Sequence, residues 1–316
     1  MVAGRRPSRP TRATITAVVE VQNLTKRFGH LAAVDDVSFQ VNPGEIFGLL
    51  GENGAGKTTT IEMLEGFQRP DRGSVRVLGE SPQHARREWR DQIGVVLQES
   101  DFDPLHSVKE TLSLFARFFS HPRDVDETLA LVGLTDKANE RVGRLSGGQK
   151  RRIDVALGIV GRPRLLFLDE PTTGFDPVAL REFWHVIEGL RDTGTSIILT
   201  THYMEEAEEL CDRLAIMARG QIVAEGTSSA LISAFGATTI RFELPGDTTL
   251  TTICDVAGVT FAYRDNVVSA IVGDDLEAVL LRLLTWTHTT GMPLRGLEVL
   301  RPTLNDVFLG ATKDET

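Results

Sequence analysis

At 316 residues, 41% hydrophobic and 25% charged, the chain can form one large or two moderate domains, and its composition excludes little beyond disorder and fibres. A formal charge of −10 argues against a general nucleic-acid binder, because such affinity comes mostly from Lys and Arg neutralising phosphates. Cys211 and Cys254 in no CxxC spacing signal neither a disulfide framework nor a structural zinc site; this fits a reducing compartment, and no apolar run approaches the ~18–20 residues of a membrane helix.

Residues 1–16, with Arg5, Arg6, Arg9 and Arg12 among Pro7 and Pro10, read as a disordered basic tail suited to brushing anionic lipid. The Arg5-Arg6 pair invites a twin-arginine export reading, but the apolar stretch behind it is too short and is interrupted by Glu20. Val18 to Phe28 alternates as a strand. Val34 to Val41 is a second, with Val34, Val37 and Phe39 as its apolar set, and Asn42-Pro43-Gly44 turns the chain into a buried strand over Ile46 to Leu50. This places Phe28 upstream of the next loop, on the same sheet edge, where an aromatic either stacks on an adenine ring or joins the core.

That loop is Gly51-Glu52-Asn53-Gly54-Ala55-Gly56-Lys57-Thr58, followed by an amphipathic run in which Ile61, Leu64 and Phe67 recur at helical spacing. Glycines at the ends and middle of such a loop let the backbone form a nest whose N–H groups face a phosphate, and the helix behind it adds its positive N-terminal end. Lys57 would then reach the β- and γ-phosphates, and the Thr58 hydroxyl would bind Mg²⁺. The plain alternative is a Gly-rich turn before a helix.

Arg72 to Gly79 is another short strand, and Ile93 to Leu97 is an apolar one that ends at Gln98; carboxyl ends of strands are where open α/β sheets place ligand contacts. Ser107-Val108-Lys109-Glu110 has the form of a capping box, with Leu112, Leu114, Phe115, Phe118 and Phe119 as the apolar stripe behind it. Asp126 to Val132 is also helical, so residues 99–145 read as a helical insert. It delivers Leu145-Ser146-Gly147-Gly148-Gln149, in which Ser146 sits at an N-cap and the two glycines expose backbone N–H groups: a second candidate phosphate site, or simply a capped helix.

Leu165 to Leu168 runs into Asp169-Glu170. Adjacent carboxylates at the end of a buried strand are costly unless they handle cations or protons. Either Asp169 holds the Mg²⁺ shell while Glu170 polarises the attacking water, or the pair begins a solvated loop. Ser196 to Thr200 ends at Thr201-His202. Lys57, Gln98, Glu170 and His202 thus all emerge at carboxyl ends of sheet strands, which predicts one active site.

In order, these segments resemble the motifs of ATP-binding subunits of ABC transporters, over about residues 18–230. Gly51 to Thr58 matches Walker A, Gln98 the Q-loop, Leu145 to Gln149 the LSGGQ signature and Leu165 to Glu170 Walker B; Gly174-Phe175-Asp176 matches the D-loop and His202 the H-loop. Phe175 stands where many members have Leu, which implies adjusted dimer packing. The resemblance implies an α/β P-loop cassette over residues 17–236, with a RecA-like core, an antiparallel β edge and a helical subdomain. It implies ATP and Mg²⁺, the nucleotide held by Phe28, Gly51, Asn53, Gly54, Ala55, Gly56, Lys57, Thr58 and Thr59, and the metal by Thr58, Gln98 and Asp169. Glu170, His202 and Gln98 would serve catalysis. Two copies would form a head-to-tail sandwich, Ser146, Gly147, Gly148, Gln149 and Asp176 acting across the interface, docked through Gln98 to Asp103 on a separate integral membrane permease at the cytoplasmic face.

From about Thr238 the pattern changes. Ile240 to Leu244 and Val267 to Val272 read as strands with a turn at Asp265-Asn266, Leu276 to Trp286 as a helix, Leu297 to Leu300 as a strand and Thr303 to Leu309 as a closing helix, giving a small α+β accessory domain over residues 237–316. It carries no catalytic constellation, and His288 reads as a surface residue. The ending Arg301 to Leu309 and the run Gln149 to Asp154 resemble daunorubicin-resistance-type subunits, which energise ABC-2-type exporters of drugs, lipids or other hydrophobic compounds. The competing reading is a non-transport ATPase of the same family acting on nucleic acid or ribosomes. The single cassette, the acidic balance and the lack of zinc-ligand clusters or a long coiled-coil insert stand against it. A silent regulatory module would have lost Lys57, Asp169 or Glu170, and all three are present.

Overall fold

The computed structural model describes residues 17–96, 102–173, 175–235, 238–244, 249–273 and 275–313. Contacts divide the chain between Ile222 and Val223 into two compact units. Gln98, Gly174 and the tail over residues 1–16 lie outside the described residues.

The first unit is layered. β1 (Val19–Phe28), β2 (Leu31–Val41) and, after the helix α1 (Lys57–Glu65), β4 (Arg72–Val77) form a three-stranded antiparallel sheet in the order β2-β1-β4. The second sheet contains β3 (Ile46–Leu50), β5 (Ile93–Val96), β6 (Leu165–Asp169), β7 (Ser196–Thr201), β8 (Arg213–Ala218) and β9 (Gln221–Gly226), in the order β5-β6-β7-β3-β8-β9. Its neighbours from β5 to β8 are parallel. Parallel strands buried on both faces need apolar side chains at every position, and the burial alternates accordingly. Leu165 and Phe167 face a cluster with Ile61, Met63 and Leu64 of α1, while Leu166 and Leu168 face a second cluster. The first cluster also joins the two sheets, through Phe39 stacked on Phe47 with ring centroids 5.2 Å apart.

The second cluster is covered by helices. After the short α2 (Arg87–Arg90) come α3 (Val108–Ala116) and α4 (Val125–Leu131), then α5 (Gly147–Ile159), α6 (Pro177–Asp192) and α7 (Met204–Leu210). α5 lies close on β5 because Gly94 and Gly158 meet there; a Cβ on Gly94 would stand 2.1 Å from the Gly158 carbonyl oxygen. Ser107 and Glu110 do form the capping box, with Ser107 N–H donating to Glu110 Oε2 at 2.8 Å.

Three placements differ from the sequence reading. Phe67 is not on the buried stripe of α1: Gly66, at φ 87°, caps the helix by donating to Glu62 O, and Phe67 is left 72% exposed. Met63 fills the core in its stead. The stripe of α3 likewise stops at Ala116; Leu114, Phe115 and Phe118 are exposed, and Phe119 packs over Gly161 beyond the helix end. Phe28 closes β1, so it belongs to the antiparallel sheet and not to the edge of the sheet that carries β3.

The second unit contains α8 (Ser228–Phe235), β10 (Thr238–Glu243), α9 (Leu250–Ala257), β11 (Ala262–Arg264), β12 (Val267–Val272), α10 (Leu276–Thr290), β13 (Glu298–Leu300) and α11 (Leu304–Lys313). From β10 to β13 the order of elements is βαββαβ and the strand order β11-β12-β10-β13, with every pair antiparallel: a ferredoxin-like arrangement. Asp265 and Asn266, both at positive φ, make the tight turn between β11 and β12. Ile240, Phe242, Val268, Ala270 and Val272 form one face of the sheet and pack on Ile253 of α9 and Val279 and Leu283 of α10.

Candidate active site

The carboxyl end of β3 opens into a cavity of about 700 Å³, lined among others by Phe28, Asn53, Gly54, Gly56, Lys57, Thr58, Thr59 and Glu170. The loop can lie this close because two glycines permit it. A Cβ on Gly51 would meet Met217 O at 2.5 Å, and Gly56, at φ 103°, would meet Ala33 O at 2.3 Å. Gly56 also begins α1 without a side-chain cap, so the N–H groups of its first turn are left for a ligand. Ala55 is buried behind the loop, beside Gly51.

Lys57, 4% exposed, donates to the carbonyls of Gly51 at 2.7 Å and Glu52 at 3.2 Å and stands 3.2 Å from Glu170 Oε1. The other oxygen of Glu170 is 3.3 Å from His202 Nδ1, out of line for a hydrogen bond. The β6 and β7 ends are tied together. The Thr200 hydroxyl donates to Asp169 Oδ1, and Glu170 N–H donates to Thr200 O at 3.2 Å and Oγ1 at 3.0 Å. Glu170 itself adopts φ +42°, a strained value for a residue with a Cβ. The Glu170 carboxylate thus lies between a cation at 3.2 Å and an imidazole nitrogen at 3.3 Å.

The Thr58 hydroxyl at the cavity wall and the Asp169 carboxylate, which accepts from Thr200 and is not itself among the lining residues, are hard oxygen donors of the kind that hold Mg²⁺ together with substrate phosphates. The charge of Asp169 is felt nearby. Burial first, then Asp169 and Glu62, push the Glu65 carboxyl up to about 8.

Ser146, Gly147, Gly148, Gln149 and Asp176 are not among the residues lining that cavity. Ser146 and Gln149 instead cap α5 reciprocally, Ser146 Oγ accepting from Gln149 N–H at 3.3 Å and Gln149 Oε1 accepting from Ser146 N–H at 3.1 Å. Asp176 caps α6, and the N–H groups of Ala179 and Val178 hold its carboxyl below the usual range. The sequence reading missed Leu31, Ala32, Ala33, Glu52 and Arg219, which also line the cavity. Arg219, at φ 49° before Gly220, occupies the turn between β8 and β9, a signal of close backbone approach visible only beside Gly56.

The family model described as ABC transporter matches residues 34–173, which span the phosphate loop, the signature and the Walker B strand. A relative from Burkholderia lata, named Nod factor export ATP-binding protein I, is 43% identical over 240 residues, 74% of this chain and 79% of its own. The chain belongs to the ABC transporter family as an ATP-binding subunit. Its counterpart of the same name in Ralstonia nicotianae is 39% identical over 95% of both chains. Among solved structures, an ATP-binding subunit of an ABC transporter matches 69% of this chain at 27% identity with a TM-score of 0.62. The cbiO1 protein of Clostridium perfringens, described as part of the ABC transporter complex cbiONQ, matches 70% at 27% identity with a TM-score of 0.63. ABC cassettes of this kind are ATPases coupled to transport, and in this chain Lys57 and His202 stand on either side of the Glu170 carboxylate.

Proposed function

We propose that this ABC subunit powers an exporter whose membrane-spanning permease is a separate chain of the ABC-2 type, working from the cytoplasmic side on a drug, lipid or other hydrophobic compound. Residues 17–236 form the cassette in this reading and residues 237–316 an accessory domain. Export is supported by the likeness to relatives named for Nod factor export along nearly the whole chain. Among the described residues no helix is long and apolar enough to cross a membrane, so the translocation path belongs to a partner.

ATP is held between two copies. The observation that supports this is that the signature residues Ser146 to Gln149 build the capped N-terminus of α5 and, like Asp169 and His202, are not among the residues lining the cavity of Lys57 and Glu170. Those residues cap a helix whose N-terminal N–H groups suit a phosphate, and the phosphate they reach is then one bound by another subunit. Phe28 stacks on the adenine, Lys57 and the loop N–H groups hold the phosphates, and Thr58, Gln98 and Asp169 hold Mg²⁺, which neutralises charge developing on them. Glu170 takes the proton of the attacking water while His202 orients water and γ-phosphate. Since ATP is part of the interface, its hydrolysis loosens the pair, and that change of state is what a permease can use.

The test is copurification of the full chain from membranes. A polytopic membrane protein should accompany it and should stimulate its ATPase in lipid. Stimulation by ribosomes or RNA in the absence of a membrane partner would overturn the transport reading.

A further inference from the structure

Behind the catalytic carboxylate lies a set of buried charged groups that the nucleotide cavity does not use. Arg151 projects from α5 and is 7% exposed. Its Nε donates to the carbonyl of Pro171 at 2.8 Å and its Nη2 to the carbonyl of Asp169 at 3.2 Å, the carbonyl groups on either side of Glu170. Its Nη1 stands 3.5 Å from Oδ2 of Asp154, which is 8% exposed. The charge of Glu206, 1% exposed on α7, also reaches Arg151, and the Glu206 carboxyl faces Thr201, Thr172, Trp184 and His202.

The placement has a physical purpose. A residue with a Cβ holds φ +42° only when its surroundings over-determine it. Thr200 restrains Glu170 from one side through its N–H; Arg151 restrains it from the other through the carbonyls before and after it. A planar guanidinium can bridge two carbonyls with nitrogens fixed relative to each other, whereas a lysine ammonium brings the same charge on one flexible point. Arg151 also lies only five residues beyond Ser146, on the same rigid helix that the signature begins.

We propose that Arg151 is a positioning residue for hydrolysis: it fixes the backbone of Glu170 from the signature helix, so that engagement of ATP by the signature at one site sets the catalytic carboxylate at the other. The clamp on Glu170 stands on the geometry of one chain; its link to the opposite site rests on the two-copy reading above. Asp154, 3.5 Å from Nη1, supplies the counter-charge beside the buried guanidinium.

Arg151→Lys and Arg151→Met in the full chain test this, with kcat, KM, the shape of the ATP dependence and the Kd for ATP measured on each. Misplacing a catalytic group costs rate and leaves binding alone, so Arg151→Lys should lower kcat roughly tenfold or more while the Kd for ATP stays within about twofold of the parent. Arg151→Met should lose at least as much; if it fails to fold, Arg151→Lys alone decides. The rate should also lose any sigmoidal dependence on ATP. A Lys variant with parental kcat would show that only the charge matters and would overturn the proposal, as would a loss of kcat matched by an equal loss of ATP binding. In a Glu170→Gln background, Arg151→Lys should still pair in ATP. If Glu170→Gln alone stays monomeric, it is the two-copy reading that fails, and the kcat of Arg151→Lys still tests the clamp.

Discussion

Replacing Lys57 by Ala separates what this side chain does for the empty protein from what it does for nucleotide. In this structure Nζ is satisfied by the carbonyls of Gly51 and Glu52 and by Glu170, so moving to a phosphate exchanges three existing contacts for new ones. A hydrogen bond to a charged group contributes about 1.5–3 kcal/mol, and the two carbonyl bonds and the Glu170 contact given up are of that same class, so the gain comes from the greater negative charge of the triphosphate. With two phosphates engaged at low dielectric, a net gain of about 2–3 kcal/mol is expected, and each 1.4 kcal/mol is tenfold in Kd. Lys57→Ala should therefore weaken ATP by roughly 30- to 150-fold. The same change leaves Glu170, whose side chain is 12% exposed, without its cation, so the empty variant should also melt earlier. Fluorescent-nucleotide titration with a thermal melt on each sample reads both effects. A Kd within about threefold of the parent would refute the assignment of Lys57 to the phosphates.

Two further perturbations probe other parts of the molecule. Ser146→Ala removes the oxygen that accepts from Gln149 N–H and should cost about 1 kcal/mol, a drop of a few degrees in Tm, yet abolish ATP-dependent pairing in a Glu170→Gln background; pairing that survives at parental strength would remove the signature from the interface. Glu65 offers a pH test in nucleotide-free protein. Its folded carboxyl titrates near 8 against an ordinary 4.5, so the folded state keeps a proton that the unfolded state has lost, and stability declines as pH rises between those values. Glu65→Gln should flatten that decline, as measured by Tm against pH, and an unchanged slope would show that the carboxyl is not held neutral.

The phosphate loop, the strand-end carboxylates, the capping box at Ser107 and the N-cap at Ser146 were legible because each depends on local chemistry: a glycine that must take positive φ, a hydroxyl just before a helical run. What was not legible depended on chain ends and distant partners. Phe67 and Phe118 fit helical periodicity, but Gly66 and the turn after Ala116 end the helices before them. Phe28 lines the cavity at the carboxyl end of β3, although it stands on a different sheet from the one predicted. Arg219 belongs to no motif, and the Gln149 to Asp154 run that contains Arg151 assigns it no partner. One is brought to the cavity by a hairpin pressed against Gly56 and the other to Asp169 and Pro171 by the depth at which α5 packs, which small residues at Gly94 and Gly158 permit. The β11 strand and α9 are short and weakly patterned, so the ferredoxin-like order emerged only from strand pairing.

The most direct measurement is the solution mass of full-length Glu170→Gln with and without Mg²⁺ and ATP, by light scattering. Two copies that share nucleotide between Lys57 of one and Ser146 of the other should double in mass with ATP and return to the monomer when it is removed. A monomer that binds ATP fully yet never pairs would contradict the shared site.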